Sequence, residues 1–502
     1  MATHNVPAFG PGSASDGSPA PSPSPANAPS APAPSSSAAA PSPATAHSPA
    51  TAPGPRHATS SRLGFINGRV AAWAAWDTGS SSFNAVVTTF VFSVYLTTSS
   101  IFGPSANSNL GWTMAVAGVF VALIAPVLGQ WTDRTGKTRT VLAASTFGVI
   151  VIMAALFFVE PDESFLWLGL ILLALGNVIF ETGSVIYNSM VADVATPRTV
   201  GRVSGFGWGM GYIGSIVLLV FLLFAFIQPD PGLFGVTHEN SMHIRVSMVV
   251  CAVWMLVFTL PFLLIARNHP PASETPVSLL GSYRALARSV ARLWKEDRSI
   301  VWFLLSSAIY RDGLAGVFAF GGILAGAAFG FSESGVVMFA VGANLVAGVA
   351  TVAFGQLDDR LGARKVIIGS LVSMCILGLL VFFGEPAGPI VFWVFGLALC
   401  IFVGPAQAAS RSYLARIAPR GSQGEIFGLY ATTGRAVSFL APFMYASAIT
   451  LAHRISGQPR DDVAIYGVLG IVLVLFAGLL AFLPVKAQAK ADDGRDVAAL
   501  LQ

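Results

Sequence analysis

Between residues 70 and 484 the sequence falls into twelve apolar runs, at about 70–97, 110–131, 141–159, 165–190, 204–227, 244–266, 300–329, 335–356, 365–383, 389–410, 425–451 and 463–484. A helix rises 1.5 Å per residue, so roughly 20 apolar residues cross the ~30 Å hydrocarbon layer of a bilayer. Inside lipid every backbone N–H and C=O needs a partner within the protein, and a helix supplies those partners from its own chain. The expected fold is therefore an all-α membrane protein with twelve transmembrane helices. Charged residues make up only 10% of the chain, against about a quarter in soluble domains, which excludes the soluble classes.

The sparse charge is also sorted. With the N-terminus placed in the cytoplasm, 23 of the 28 Lys and Arg fall in cytoplasmic segments, Arg411 among them, just past the tenth run. Arg245, Arg454 and Arg460 fall outside, and Arg311 and Arg435 within runs. Basic loops stay on the cytoplasmic side, so both termini are expected there. The sequence pI near 9.0 follows from this asymmetry, and no nucleic-acid partner is expected.

Residues 1–62 hold fourteen of the 31 prolines among Ala and Ser, a composition that cannot build a core and reads as a disordered cytoplasmic tail. It lacks the basic start and apolar stretch of a signal peptide. A second cytoplasmic tail is expected at 486–502. The linker at 267–299 contains SLLGSYRALARSVARLWKE, in which apolar residues recur at helical spacing while Arg284, Arg288 and Arg292 line another face. Two readings fit the stretch 279–298: an amphipathic helix on the anionic lipids of the inner leaflet, or a solvated linker helix.

One charged turn occurs twice. GQWTDRTGKTRT at 129–140 follows the second run, and GQLDDRLGARK at 355–365 follows the eighth. A longer echo aligns 187–212 with 410–435 at a constant offset of 223, placing Gly201 on Gly424 and Gly205 on Gly428. Within it Asp193 falls on Arg416 and Arg202 on Glu425, with the sign of charge exchanged. Asp77 and Asp312 form a third pair. Echoes of this length imply two six-helix halves, 63–266 and 300–485, in parallel orientation. In each turn Gly136 or Gly362 supplies freedom for the reversal. Asp133 and Asp359 suit a helix N-terminus or a cation, and Arg134 and Arg360 suit carboxylates or helix C-termini. Gly129, Arg139, Gly355, Asp193, Arg202, Arg416 and Glu425 complete the expected cytoplasmic gate.

These turns resemble the loop signature of the major facilitator superfamily. Finer matches resemble one branch of it, the fungal vacuolar amino-acid effluxers of autophagy and their bacterial relatives. They are Trp73, Asp77, Ser81 and Phe83 in the first run, Tyr187-Asn188, GRVSGFGWGMGYIG at 201–214, Asp312-Gly313, FGG at 320–322, QAASRS at 407–412 and FGLY at 427–430. In the first run Trp76, Thr78, Gly79 and Ser80 depart from the branch pattern, so the substrate does not carry over. The resemblance implies a secondary transporter working by alternating access, amino-acid export, and a multi-pass protein of a bacterial-type inner membrane.

Ionisable residues within membrane runs are costly and mark pathways by default. The candidates are Asp77, Glu181, Arg311, Asp312 and Arg435, with Asn177, Tyr187, Asn188, Tyr310 and Tyr430 beside them. Two roles are open for the charges: solute or ion binding, and internal salt bridges that lock helices. Asn84, Asn344 and Gln407 are weaker candidates that suit hydrogen bonding between helices.

GMGYIG at 209–214 fits a dinucleotide pattern but lies within a run, with no strand before it. The seven histidines lie in tails and loops, and Cys251, Cys375 and Cys400 are scattered through apolar runs. No metal, cofactor or enzymatic role is expected, and a monomer is. Proton-coupled efflux of drugs and a non-transporting sensor are the alternatives to amino-acid export.

Overall fold

The computed structural model describes residues 65–269, 279–296, 298–419, 421–459 and 463–486. The tails expected at 1–62 and 486–502 lie outside the described residues except for Lys486, as do 270–278 of the linker.

Every regular element among the described residues is helical. The first helix, α1, is Gly68–Ser81. It is followed by α2 Ala106–Thr135, α3 Thr138–Phe158, α4 Glu163–Val194, α5 Val200–Ile227 and α6 Glu239–Ile265. Helix α7, Leu279–Glu296, lies in the linker. The second half holds α8 Arg298–Ala327, α9 Gly335–Leu361, α10 Ala363–Ala387, α11 Pro389–Ile417, α12 Gln423–Ser456 and α13 Ala464–Phe482. Eleven of these are long and apolar enough to cross a membrane. The twelfth crossing is α1, which continues through a π-helical stretch, Ser82–Phe90, into Phe92–Leu96. The widening follows three serines in a row: Ser80, Ser81 and Ser82 each donate to a carbonyl three residues back. Such bonds compete with the regular ladder.

Within the first half α1 packs on α5 and α6, and α4 on α2 and α3; within the second, α13 packs on α8 and α10, and α11 on α9 and α10. The halves meet along two related seams, α2 with α12 and α5 with α9. Each seam joins the second membrane helix of one half to the fifth of the other, as a duplicated chain with a two-fold relation requires. The seams start at the end bearing the repeated turns, here called the basic end. They run past the Thr432 hydroxyl on the Ala122 carbonyl to the Glu181–Arg435 ion pair and the Tyr212–Phe318 ring stack. Beyond that level no hydrogen bond or ion pair joins the halves among the described residues. The outer piece of α12, Leu440–Ser456, packs on α8 and α13 of its own half. The two halves are thus closed at the basic end.

Helix α7 turns Leu286, Val290 and Leu293 onto the core of the bundle and leaves Arg284 and Arg288 exposed. The helical period expected for it is observed, with the bundle covering part of its apolar face.

Candidate functional site

The repeated turns build the first layer of contact between the halves. Gly136, the αL residue that ends α2, has φ 68°, and Gly362 at the end of α9 has φ 89°. A side chain would strain both turns. One helical turn before each reversal an aspartate reaches across the seam. Asp133 accepts the Gly424 and Glu425 backbone N–H groups at 2.9 and 2.8 Å, the start of α12. Asp359 accepts the Gly201 and Arg202 N–H groups at 2.8 and 3.2 Å, the start of α5. A carboxylate there satisfies orphan donors and meets the positive end of the helix dipole. The glycine four residues earlier lets the backbones close: a Cβ on Gly355 would lie 2.8 Å from the Gly201 carbonyl oxygen, and one on Gly424 2.7 Å from that of Gly129. The spacing G-x-x-x-D is therefore a clasp, made twice.

The cations of this layer differ from the expectation. Among the described residues Arg134 and Arg360 make no ion pair. Arg202 Nε binds Asp359 at 2.7 Å, and Arg416 binds Asp358 at 2.6 Å and Asp359 at 3.1 Å. Arg134, half-buried, and Arg360, exposed, sit in the last turns of α2 and α9, whereas Arg202 and Arg416 lie in the first turn of α5 and the last turn of α11 and reach the aspartates. Asp193 pairs with His269 of the linker at 3.0 Å and not across the seam. Arg139 caps the end of α6 through the Leu263 carbonyl at 2.8 Å. Arg364 does the same at the end of the second half, on Val485 and Leu483. Glu425 accepts from Gln130 at 3.2 Å.

The second layer is centred on a residue that the sequence reading misplaced. Arg411 is not in a loop. Helix α11 runs on to Ile417, and the Arg411 side chain is 4% exposed, between the halves. Its Nη1 donates to Asn188 Oδ1 at 2.9 Å and lies 3.3 Å from Asp77 Oδ2; its Nε and Nη2 donate to the Ser204 hydroxyl and carbonyl at 2.9 and 2.7 Å. The guanidinium also lies over the Trp73 ring at 4.6 Å. Trp73 and Trp76 both stack on Tyr187, whose hydroxyl donates to the Trp73 carbonyl. A cation this deep requires such company, because removal from water costs several kcal/mol. Gly207 makes room, since a Cβ there would lie 2.6 Å from Asp77 Oδ2.

The third layer is an ion pair between Glu181 of α4 and Arg435 of α12, each about a third exposed. Asn177, Glu181, Ser184 and Asn188 share one stripe of α4 by their helical spacing. Asn177 is 6% exposed, and its Nδ2 has no partner among the described residues. A buried donor left without an acceptor costs about 1–3 kcal/mol.

The remaining charged candidates serve the second half internally. Asp312 Oδ2 accepts the Ala441 N–H at 2.5 Å and so caps the outer piece of α12 where that helix breaks. Arg311 does not pair with it; it lies 3.7 Å from the Tyr430 ring centre and donates to the Tyr430 carbonyl at 3.0 Å. Tyr310 shares a 2.7 Å hydrogen bond with Ser410. Asn84 is exposed, Asn344 donates to Ala340 of its own helix, and the Gln407 side chain makes no hydrogen bond to a described residue. Among the described residues none of these three joins helices through a side-chain hydrogen bond.

Residues 102–488 match the family model described as "Vacuole effluxer Atg22 like". The chain belongs to that family. Its relatives include the MFS-type transporter YxiO of Bacillus subtilis (strain 168), 24% identical over 410 residues that cover 81% of this chain and 94% of that one. Autophagy-related protein 22-1 of Neosartorya fischeri is 24% identical over 286 residues, covering 49% of this chain and 44% of the fungal one. Among solved structures, the proton:xylose symporter XylE superposes with a TM-score of 0.65 at 13% identity, over 85% of this chain and 97% of that one. A bacterial homologue of the iron transporter ferroportin, in an outward-facing state, has a TM-score of 0.60 at 15% identity, over 83% and 98%. This member of the Atg22-like branch is a multi-pass major facilitator transporter with the twelve-helix fold.

Sequence reading missed Arg411, Asp358, Ser204 and Gln130. For Arg411 two signals were present. No Gly or Pro interrupts 406–418, so the helix had no reason to stop at 410. The offset of 223 also places Arg411 on Asn188, a residue already among the pathway candidates.

Proposed function

We propose that this transporter exports neutral amino acids by alternating access, with a zwitterion bound between Glu181 and Arg435. The pair carries the reading: opposite charges come from opposite halves, at the last ion pair before the contacts between halves end, and each remains about a third exposed. A zwitterion offers an ammonium to Glu181 and a carboxylate to Arg435, replacing the pair with two charge-assisted contacts. The free Asn177 donor, one turn away on the same stripe, suits a carboxylate oxygen. Asp77, beneath this site and held by Arg411, is the residue proposed to take up a coupling proton when the halves part. The basic end is read as cytoplasmic from the distribution of Lys and Arg. The name of the family supports efflux as the direction.

The test is counterflow. Proteoliposomes are loaded with mixed neutral amino acids, and a labelled one is supplied outside. Transient accumulation above equilibrium, lost in Glu181→Gln, is the expected result. No accumulation by folded protein, with hydrophobic cations carried instead, replaces this reading with drug efflux. Binding without flux replaces it with a sensor.

A further inference from the structure

At the basic end, away from both seams, a groove of about 900 Å³ opens between the start of α1 and the end of α6. Its lining includes Arg69, Arg139 and Arg267, one from each of three separate segments. Ala72, Pro261, Leu264 and Ile265 give the same groove an apolar wall. Arg139 is held in place through Nε by the Leu263 carbonyl at 2.8 Å. No described carboxylate pairs with any of the three arginines. Gathering three like charges around one groove is unfavourable unless an anion offsets them.

We propose that this groove binds the phosphate headgroup of an anionic phospholipid. The apolar wall selects a lipid over a free anion. Leu264 is 65% exposed and heads a stripe of exposed residues on α6, Leu260, Val257 and Val253, at helical spacing. This stripe faces away from the bundle and continues the groove toward the membrane interior, a track for an acyl chain below a basic headgroup site. The level fits as well, because α1 and α3 begin here and α6 ends here. Basic pockets between membrane helices hold acidic headgroups in this way. The α1 terminus adds to the field, while the Asn67 side chain already accepts the Arg69 and Val70 N–H groups at 3.0 Å. The site is separate from the Arg284 and Arg288 face of α7 and from the solute pathway.

The test uses delipidated full-length protein and native mass spectrometry. Phosphatidylglycerol is compared with phosphatidylcholine of the same chains and with inorganic phosphate. The expected result is at least tenfold tighter binding of phosphatidylglycerol than of phosphatidylcholine, no displacement by millimolar phosphate, and loss of the preference in Arg69→Gln/Arg267→Gln. The Arg69→Lys/Arg267→Lys pair, which keeps the charge, should retain most of the preference. It also controls for folding, alongside gel filtration of both variants. An unchanged preference in the Gln pair overturns the proposal. So does displacement by phosphate alone, which identifies a free-anion site. Loss of the preference in Arg284→Gln/Arg288→Gln, with the groove intact, also overturns it and moves the lipid to α7.

Discussion

Arg411 donates to Asn188 across the two halves at 2.9 Å, and the two residues occupy equivalent positions of the duplicated chain, 223 apart. Equivalent residues of two related halves can touch only close to the axis that relates them. The Arg411 cluster therefore lies on the midline between the halves, where its contacts must break for the basic end to open, a place suited to a lock on the closed state.

Replacing Arg411 by Ala leaves Asp77 and Ser204 facing an unfilled buried site. Removing one partner of a buried pair costs about 3–5 kcal/mol, so thermal unfolding in detergent should fall steeply. Asp77→Asn combined with Arg411→Gln should recover most of that loss, because neither charge is then stranded. A double variant as unstable as the sum of the singles would show that the two side chains do not interact.

The two aspartate clasps are not equal. Among the described residues Asp133 accepts only backbone N–H groups, and Asp359 also holds Arg202 and Arg416. Asp359→Asn should open the basic end more than Asp133→Asn. Labelling of Ala408→Cys, buried at 3% exposure in the closed state, by a probe supplied at that end reads the difference; equal rates would remove the added role of the arginines.

Gly355→Ala would place a Cβ 2.8 Å from a backbone oxygen and 3.0 Å from the Arg202 Cα, neither of which can swing aside. The seam must separate, so the basic end should become accessible to the same probe and the closed state lose population by at least tenfold, about 1.4 kcal/mol. Gly118→Ala, where the added atom meets open space, is the control and should behave as wild type.

Glu181→Gln and Arg435→Gln should separate function from stability. An ion pair about a third exposed contributes about 0–1 kcal/mol, so each variant should unfold within about 1 kcal/mol of wild type while counterflow drops at least tenfold. Asp312→Ala should do the reverse. Losing the cap on Ala441 costs about 1 kcal/mol and should leave the apparent affinity for solute unchanged.

The sequence by itself determined the twelve crossings, the duplication and the clasp motif. Each of these depends on local or periodic information: apolar length against bilayer thickness, an offset between echoes, a glycine that only a tight reversal needs. It marked Asp133 and Asp359 for helix N-termini or cations, and the structure places both at helix N-termini and Asp359 against arginines as well. The tertiary structure alone decided which charges meet. Arg134 and Arg360 stand beside the aspartates in the chain, yet Arg202 and Arg416 reach them across the seam. Asp312 is the sequence echo of Asp77, yet it caps a helix break while Asp77 faces Arg411. Partner choice among charges depends on which helix faces close against each other, and helical spacing fixes a residue's face without naming the helix opposite. Arg411 shows both limits. Its charge suggested a loop, and only the packing of α11 between the halves supplied the carboxylate, amide, hydroxyl and rings that let a guanidinium stay buried there.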